Sequence, residues 1–188
     1  MERKEQIINV AHELIDRGGY PKFSYADLEK KLKIRKASIH HHFAKKEDLG
    51  LAVLDYVEAY LLNRKADLKR SQGDAWSKVL TFIHPSCAAA RESGRVCTLS
   101  SMQADYHHLP DSLQGRVKTL CDLERQIITD ILEEGRQKGT LNFEGTADES
   151  AATFLAALKG AMHYSRVFGQ DMLGIVERSL KLFLGVKT

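Results

Sequence analysis

Residues 23–49 read FSYADLEKKLKIRKASIHHHFAKKEDL, and the parsing of this stretch decides the fold. Ser24 is a helix cap, and Asp27 stands three residues on, where an acid favours the positive end. The helix it opens carries Ala26, Leu28 and Leu32 on its apolar side and is short. A tight connection, Lys33-Ile34-Arg35, leads to a second short helix from Lys36 to His42. Ala37 and Ile39 are expected to face inward there, with Phe43 and Ala44 closing it. Upstream, Ile7, Ile8, Ala11, Leu14 and Ile15 recur at the spacing of a third helix, which Gly18-Gly19 ends. Three short helices, the last two joined by a brief turn, are the layout of a helix-turn-helix unit.

Downstream, Lys46-Glu47-Asp48 opens a long helix with Leu49, Ala52, Val53, Tyr56, Val57 and Tyr60 in register, running to Ser71-Gln72-Gly73. Asp74 caps the next, in which Trp76, Val79, Leu80, Ile83, Cys87 and Ala90 hold the same period. Pro85 inside it removes the bond to the Thr81 carbonyl and predicts a kink. A further helix is predicted from Cys97 to His108, stopped by Leu109-Pro110. Asp111 or Ser112 then caps a long one through Leu113, Val117, Leu120, Cys121, Ile127, Ile128 and Ile131, ending at Gly139. After a polar link over 140–146, two last helices are predicted at roughly 148–168 and 170–185. No segment alternates with period two. The expectation is an all-α chain of about nine helices, with a helix-turn-helix domain over 1–46 and a helical domain over 47–188.

Composition narrows the classes. The 188 residues are 43% hydrophobic and 28% charged, as in ordinary globular proteins. No stretch reaches the ~20 apolar residues of a membrane span. The first twenty residues mix Glu2, Arg3, Lys4, Glu5, Glu13, Asp16 and Arg17 among the apolar ones, unlike a secretory signal. Three cysteines in unpatterned positions suit a reducing compartment, so a cytoplasmic protein is expected. The net charge of +3 lies entirely in residues 1–50, and the remainder is neutral. From Lys30 to Lys46 there are seven bases, three histidines and no acid. Solvated faces usually interleave both signs, so this run points to a polyanion.

Between Ser150 and Ser165 only Lys159 is charged, and Ala151, Phe154, Leu155, Leu158, Ala161 and Met162 cover more than one helix face. Such a helix is central to its own domain or packed against a second molecule. A domain this small cannot bury both terminal helices, which predicts a homodimer through about 148–185, built as a four-helix bundle.

The run from Phe23 to Leu28, and then from Leu32 through Ala37-Ser38-Ile39-His40-His41-His42-Phe43 to Lys46-Glu47-Asp48-Leu49, resembles the DNA-binding signature of the TetR family of bacterial repressors. Three positions depart from it: His40 where tyrosine is usual, Lys33 where glycine is usual, and Arg35 where serine or threonine is common. By this resemblance the Lys36–His42 helix enters the major groove, with Lys36, Ala37 and His40 at base edges. Ser24, Tyr25, Arg35, Ser38, His41, His42 and Lys46 are then the phosphate candidates. Phe43, Ile34 and Ile39 are read as core. The resemblance also implies a double-stranded, near-palindromic operator. It further implies an effector-binding C-terminal domain, for which Trp76, Phe82, Cys87, Met102, Tyr106, Cys121, Phe154 and His163 are the lining candidates. Release from the operator by a small-molecule effector follows from the same resemblance.

Other classes fit less of the sequence. An enzyme needs a constellation, and no phosphate loop, metal-ligand spacing or nucleophile elbow is present. Successive residues of a helix diverge by about 100°, so His40-His41-His42 cannot converge on one metal ion. No cofactor is expected. Two alternatives stay open: a thiol-based electrophile or redox sensor using Cys97, which has Arg95 nearby, and an architectural protein that binds DNA without regard to sequence.

Overall fold

The computed structural model describes residues 2–168 and 171–187. Among the described residues there are nine α-helices and no strand. They are α1 (Arg3–Gly18), α2 (Tyr25–Leu32), α3 (Lys36–His42), α4 (Lys46–Arg70), α5 (Ala75–Ser93), α6 (Thr98–Ala104), α7 (Asp111–Gln137), α8 (Ala147–Phe168) and α9 (Met172–Phe183). Local chemistry sets several of these bounds. The Ser24 hydroxyl accepts from the Asp27 N–H, while the Asp27 carboxylate accepts from the Ser24 N–H at 2.8 Å and hydroxyl at 2.7 Å. Those bonds hold the Asp27 carboxyl below its ordinary range. Asp74 accepts from the Ser77 N–H at 2.8 Å, and α5 continues unbroken across Pro85.

The single helix expected from Cys97 to His108 is instead two pieces. α6 ends at Ala104 with Asp105 as its C-cap, and a 3-10 turn follows at Tyr106–His108. The last helix is capped by Asp171, whose carboxylate accepts from the Gly174 N–H at 3.0 Å. Its expected start at Gln170 lies outside the described residues. No described helix is long and apolar enough to cross a membrane.

The chain divides into two compact units: residues 1–60 with 97–121, and residues 61–96 with 122–188. In the first, Ile7, Ala11, Ile15, Leu28, Ile39, Leu49, Val53 and Leu54 are wholly buried, together with Met102, Leu113 and Leu120. Polar pins tie α6 to α1: the Thr98 hydroxyl donates to Asp16 at 2.7 Å, and the Ser101 hydroxyl donates to the Ile15 carbonyl at 2.7 Å. Arg116 on α7 forks onto Glu58 at 2.6 Å and Asp55 at 2.9 Å. At Gly50 a Cβ would lie 2.8 Å from the Tyr20 ring, so α4 approaches too closely for any side chain.

The second unit is built on Val79, Ile127, Ile128, Leu132, Phe154, Leu158, Met162 and Leu173. Lys78, only 4% exposed, donates to Glu134 at 2.8 and 2.9 Å, and Lys138 reaches the same carboxylate at 2.6 Å. Ala151, Phe154, Leu155, Leu158, Ala161 and Met162 are all buried within the single chain. The open apolar surface of the terminal helices lies elsewhere, on Tyr164, Val167, Phe168, Ile175, Leu182 and Phe183.

Candidate nucleic-acid interface

Ile39 is fully buried and Phe43 nearly so, while Ile34 is half-buried. These residues clamp α3 by one side and leave the other to solvent. Arg35, Lys36, Ala37, His40 and His41 are exposed, and Ser38 and His42 are half-buried. Ala37, expected among the inward positions, therefore stands on the outer face, where its small side chain allows close approach.

The turn into α3 is made by Lys33, which takes φ 54° and ψ 42° and is the one described non-glycine residue with positive φ. Glu29 accepts from the Lys36 N–H at 2.5 Å and so satisfies the first orphan donor of α3. Sequence reasoning did not single out Glu29, because no local pattern pairs the middle of one helix with the start of the next.

His40 is positioned by two neighbours. Its ring meets the Tyr25 ring edge-on at 4.8 Å, and Nδ1 lies 3.2 Å from the Ala44 carbonyl oxygen. Only a protonated Nδ1 makes a hydrogen bond to a carbonyl, so the neutral ring offers Nε2 as an acceptor.

Two phosphate candidates are placed otherwise. Tyr25 is buried and its hydroxyl donates to the Phe43 carbonyl at 2.9 Å; burial, with Asp48 nearby, pushes the phenol up to about 12. The Lys46 ammonium donates to the Pro21 carbonyl at 3.1 Å and sits over the Tyr20 and Phe23 rings, 4.6 and 4.5 Å from their centroids. Partial burial lowers its pKa. Both side chains make contacts within the unit, Tyr25 from a buried position and Lys46 from a half-buried one. Ser24 remains exposed, although its hydroxyl is engaged in the cap of α2.

The effector candidates are not gathered in one unit. Met102, Tyr106 and Cys121 belong to the first unit, where Met102 is buried and the Cys121 sulfur accepts from Gln103 at 2.9 Å. Trp76, Phe82, Cys87, Phe154 and His163 belong to the second. Phe82, Cys87 and Phe154 are buried there, and burial pushes the Cys87 thiol up to about 11. A cleft of about 380 Å³ between α1 and α4 is lined by Lys4, Glu5, Ile8, Asn9, Ala52, Asp55 and Tyr56. Another, of about 400 Å³, is lined by Arg64, Leu80, Thr81, His84 and Pro85. Neither includes any of the eight candidates.

A short helix held by its apolar side, with a cationic outer face and a tight turn behind it, defines the helix-turn-helix class of DNA-binding regulators. Comparison with known proteins agrees. Residues 7–53 match the family model of bacterial regulatory proteins, tetR family. The whole chain superposes on a TetR-family transcriptional regulator from Agrobacterium tumefaciens with TM-score 0.90, at 28% identity over 97% of each chain. A TetR transcriptional regulator from Legionella pneumophila gives TM-score 0.86 at 25% identity over 98% of each. The HTH-type transcriptional repressor NemR of Escherichia coli (strain K12) is 22% identical over 163 residues, 85% of this chain and 82% of NemR. Residues 7–53 thus carry the DNA-binding segment of the TetR family, and the chain as a whole has the fold of TetR-family transcriptional regulators.

Proposed function

We propose that this chain is a ligand-responsive repressor that binds a near-palindromic operator as a homodimer and is released by a small-molecule effector. The observation that carries it is the outer face of α3 and its N-cap, where Arg35, Lys36, Ala37, His40 and His41 are exposed with no acid among them. Lys36 donates to guanine O6 or N7, and Ala37 meets a thymine methyl. His40, with Nδ1 held by Ala44, accepts at Nε2 from the amino group of adenine or cytosine. Ser24, Arg35, Ser38, His41 and His42 serve the phosphates. The repressor sense is the one NemR carries in its name, and the cytoplasm is the compartment where such a protein meets its operator.

Dimerisation through α8 and α9 covers the apolar surface of Tyr164, Val167, Phe168, Ile175, Leu182 and Phe183. Selection of bound sequences from random duplex tests the whole reading. A two-fold symmetric site preferred by about a thousandfold or more is expected. Recovery of no common sequence would leave the architectural alternative instead. Leu182→Glu, at a position 83% exposed in the single chain, is expected to give monomers in sedimentation and to lose the symmetric site. A dimer that survives this change and a Val167→Glu change alike would refute the interface.

A thiol-sensing mode has one observation of its own. The Cys97 sulfur caps α6 and accepts from the Ser100 N–H at 3.4 Å. Alkylation of Cys97 that leaves operator affinity unchanged would remove it.

A further inference from the structure

The second cleft has chemistry that the foregoing reading does not use. Pro85 lies inside α5 and has no N–H, so the Thr81 carbonyl loses its helical partner. That carbonyl is not left bare: the Arg64 guanidinium, from α4, donates to it through Nη2. Among the described residues Arg64 pairs with no carboxylate, and its Nε is buried without a hydrogen-bond partner. Arg70, Arg91, Arg125 and Arg136 of this unit each reach an Asp or Glu, whereas Arg95 donates to the Ser93 hydroxyl and Arg166 to the Gly94 carbonyl. The same cleft exposes His84, with no partner among the described residues, beside Leu80 and Pro85. No acid is among its lining residues.

A guanidinium held on a backbone carbonyl remains a full positive charge with unused donors, in the fork geometry that carboxylates match. Leu80 and Pro85 offer an apolar wall beside it, and about 400 Å³ suits a molecule of one ring or a short chain. We propose that this cleft binds the carboxylate of a small organic acid, with Arg64 as the anion anchor, and that such acids are the effector class. The proposal rests on the reading of the chain as a ligand-responsive regulator. Arg64 and His84 face the carboxylate group, while Leu80 and Pro85 meet its hydrocarbon.

The test is calorimetric titration of the full-length protein with benzoate and with hexanoate, each against its own uncharged amide. At least one acid is expected to bind about tenfold or more tighter than its amide, since a charge-assisted pair is lost with the charge. Arg64→Gln is expected to erase that preference. Because Arg64→Gln strands the Thr81 carbonyl and risks the fold, His84→Gln, at an exposed position, serves as the second variant. It is expected to reduce the acid-over-amide ratio severalfold. Equal binding of acid and amide, no binding of either pair, or a ratio untouched by His84→Gln would overturn the proposal. An acid that binds by these rules yet leaves operator affinity unchanged would overturn the effector assignment. The titrations need no DNA, so a failure to recover any operator defeats the regulator reading separately and leaves this site to be judged on its own data.

Discussion

Lys33→Gly separates two roles of one residue. Lys33 holds φ 54° in the turn between α2 and α3, where a Cβ costs about 1–2 kcal/mol and glycine costs nothing. Glycine also loosens the unfolded chain, which offsets about 0.4–1 kcal/mol. The net expectation is a gain of roughly 0.5–1 kcal/mol, or about 1–4 °C in melting midpoint for a chain of this length. The exposed ammonium is lost as well. If it neutralises a phosphate, the slope of log affinity against log salt falls by about 0.9 per half-site. Lys33→Ala is the control, since it keeps the left-handed strain and loses the same charge. Its melting midpoint should match wild type within the error of a surface substitution, while its salt slope should fall as far as that of Lys33→Gly. A less stable Lys33→Gly protein would refute the strain argument. Wild-type salt slopes in both variants would show that Lys33 never approaches the duplex backbone.

Glu134→Leu leaves the Lys78 ammonium buried without its partner and is expected to destabilise by about 3–5 kcal/mol in urea melts. Adding Lys78→Met should recover most of that loss. The Glu134 carboxyl is held below its ordinary value by hydrogen bonds from Lys138 and then Lys78. Its stabilisation is therefore complete above the ordinary carboxylate range and lost as pH falls through the lowered value. Acid titration should accordingly cost wild type more than the double variant. Lys46→Ala removes the ammonium over Tyr20 and Phe23 and should lower stability by about 1 kcal/mol while leaving the salt slope of DNA binding intact. A flatter slope with unchanged stability would return Lys46 to the phosphates. Thr98→Val leaves the buried Asp16 short of a donor and should cost about 1–3 kcal/mol, read as a lower denaturation midpoint.

The helices were legible because their signals are local. Ser24 with Asp27 and Asp74 with Ser77 are caps within four residues of chain, and the apolar period fixes each buried face. Proline and glycine mark most of the ends. The inward turn of Tyr25 and Lys46 was not legible, since a phenol and an ammonium serve a phosphate or an internal carbonyl equally well. What decides is the placing of the Phe43 and Pro21 carbonyls, eighteen and twenty-five residues away. The apolar run of α8 told that the helix is buried but not by what: its first two thirds are covered by this chain, and the open surface begins at Tyr164. Arg64 drew no attention in the sequence because its partner is the carbonyl that Pro85 uncovers, a relation between two helices.

The polar pins from Thr98 and Ser101 to α1 bear on how the protein is made. A ribosome that has released the first sixty residues has delivered α1, α2 and α3, but not the segment from Cys97 to Cys121 that completes their unit. At about 5–20 residues per second, the nascent chain waits roughly 3–12 s for that segment. Throughout the interval Asp16 lacks the Thr98 hydroxyl and the Ile15 carbonyl lacks the Ser101 hydroxyl, and the apolar surface that Met102, Leu113 and Leu120 will cover is open to chaperones. A genetic fusion or truncation ending near residue 60 would freeze the chain at that stage.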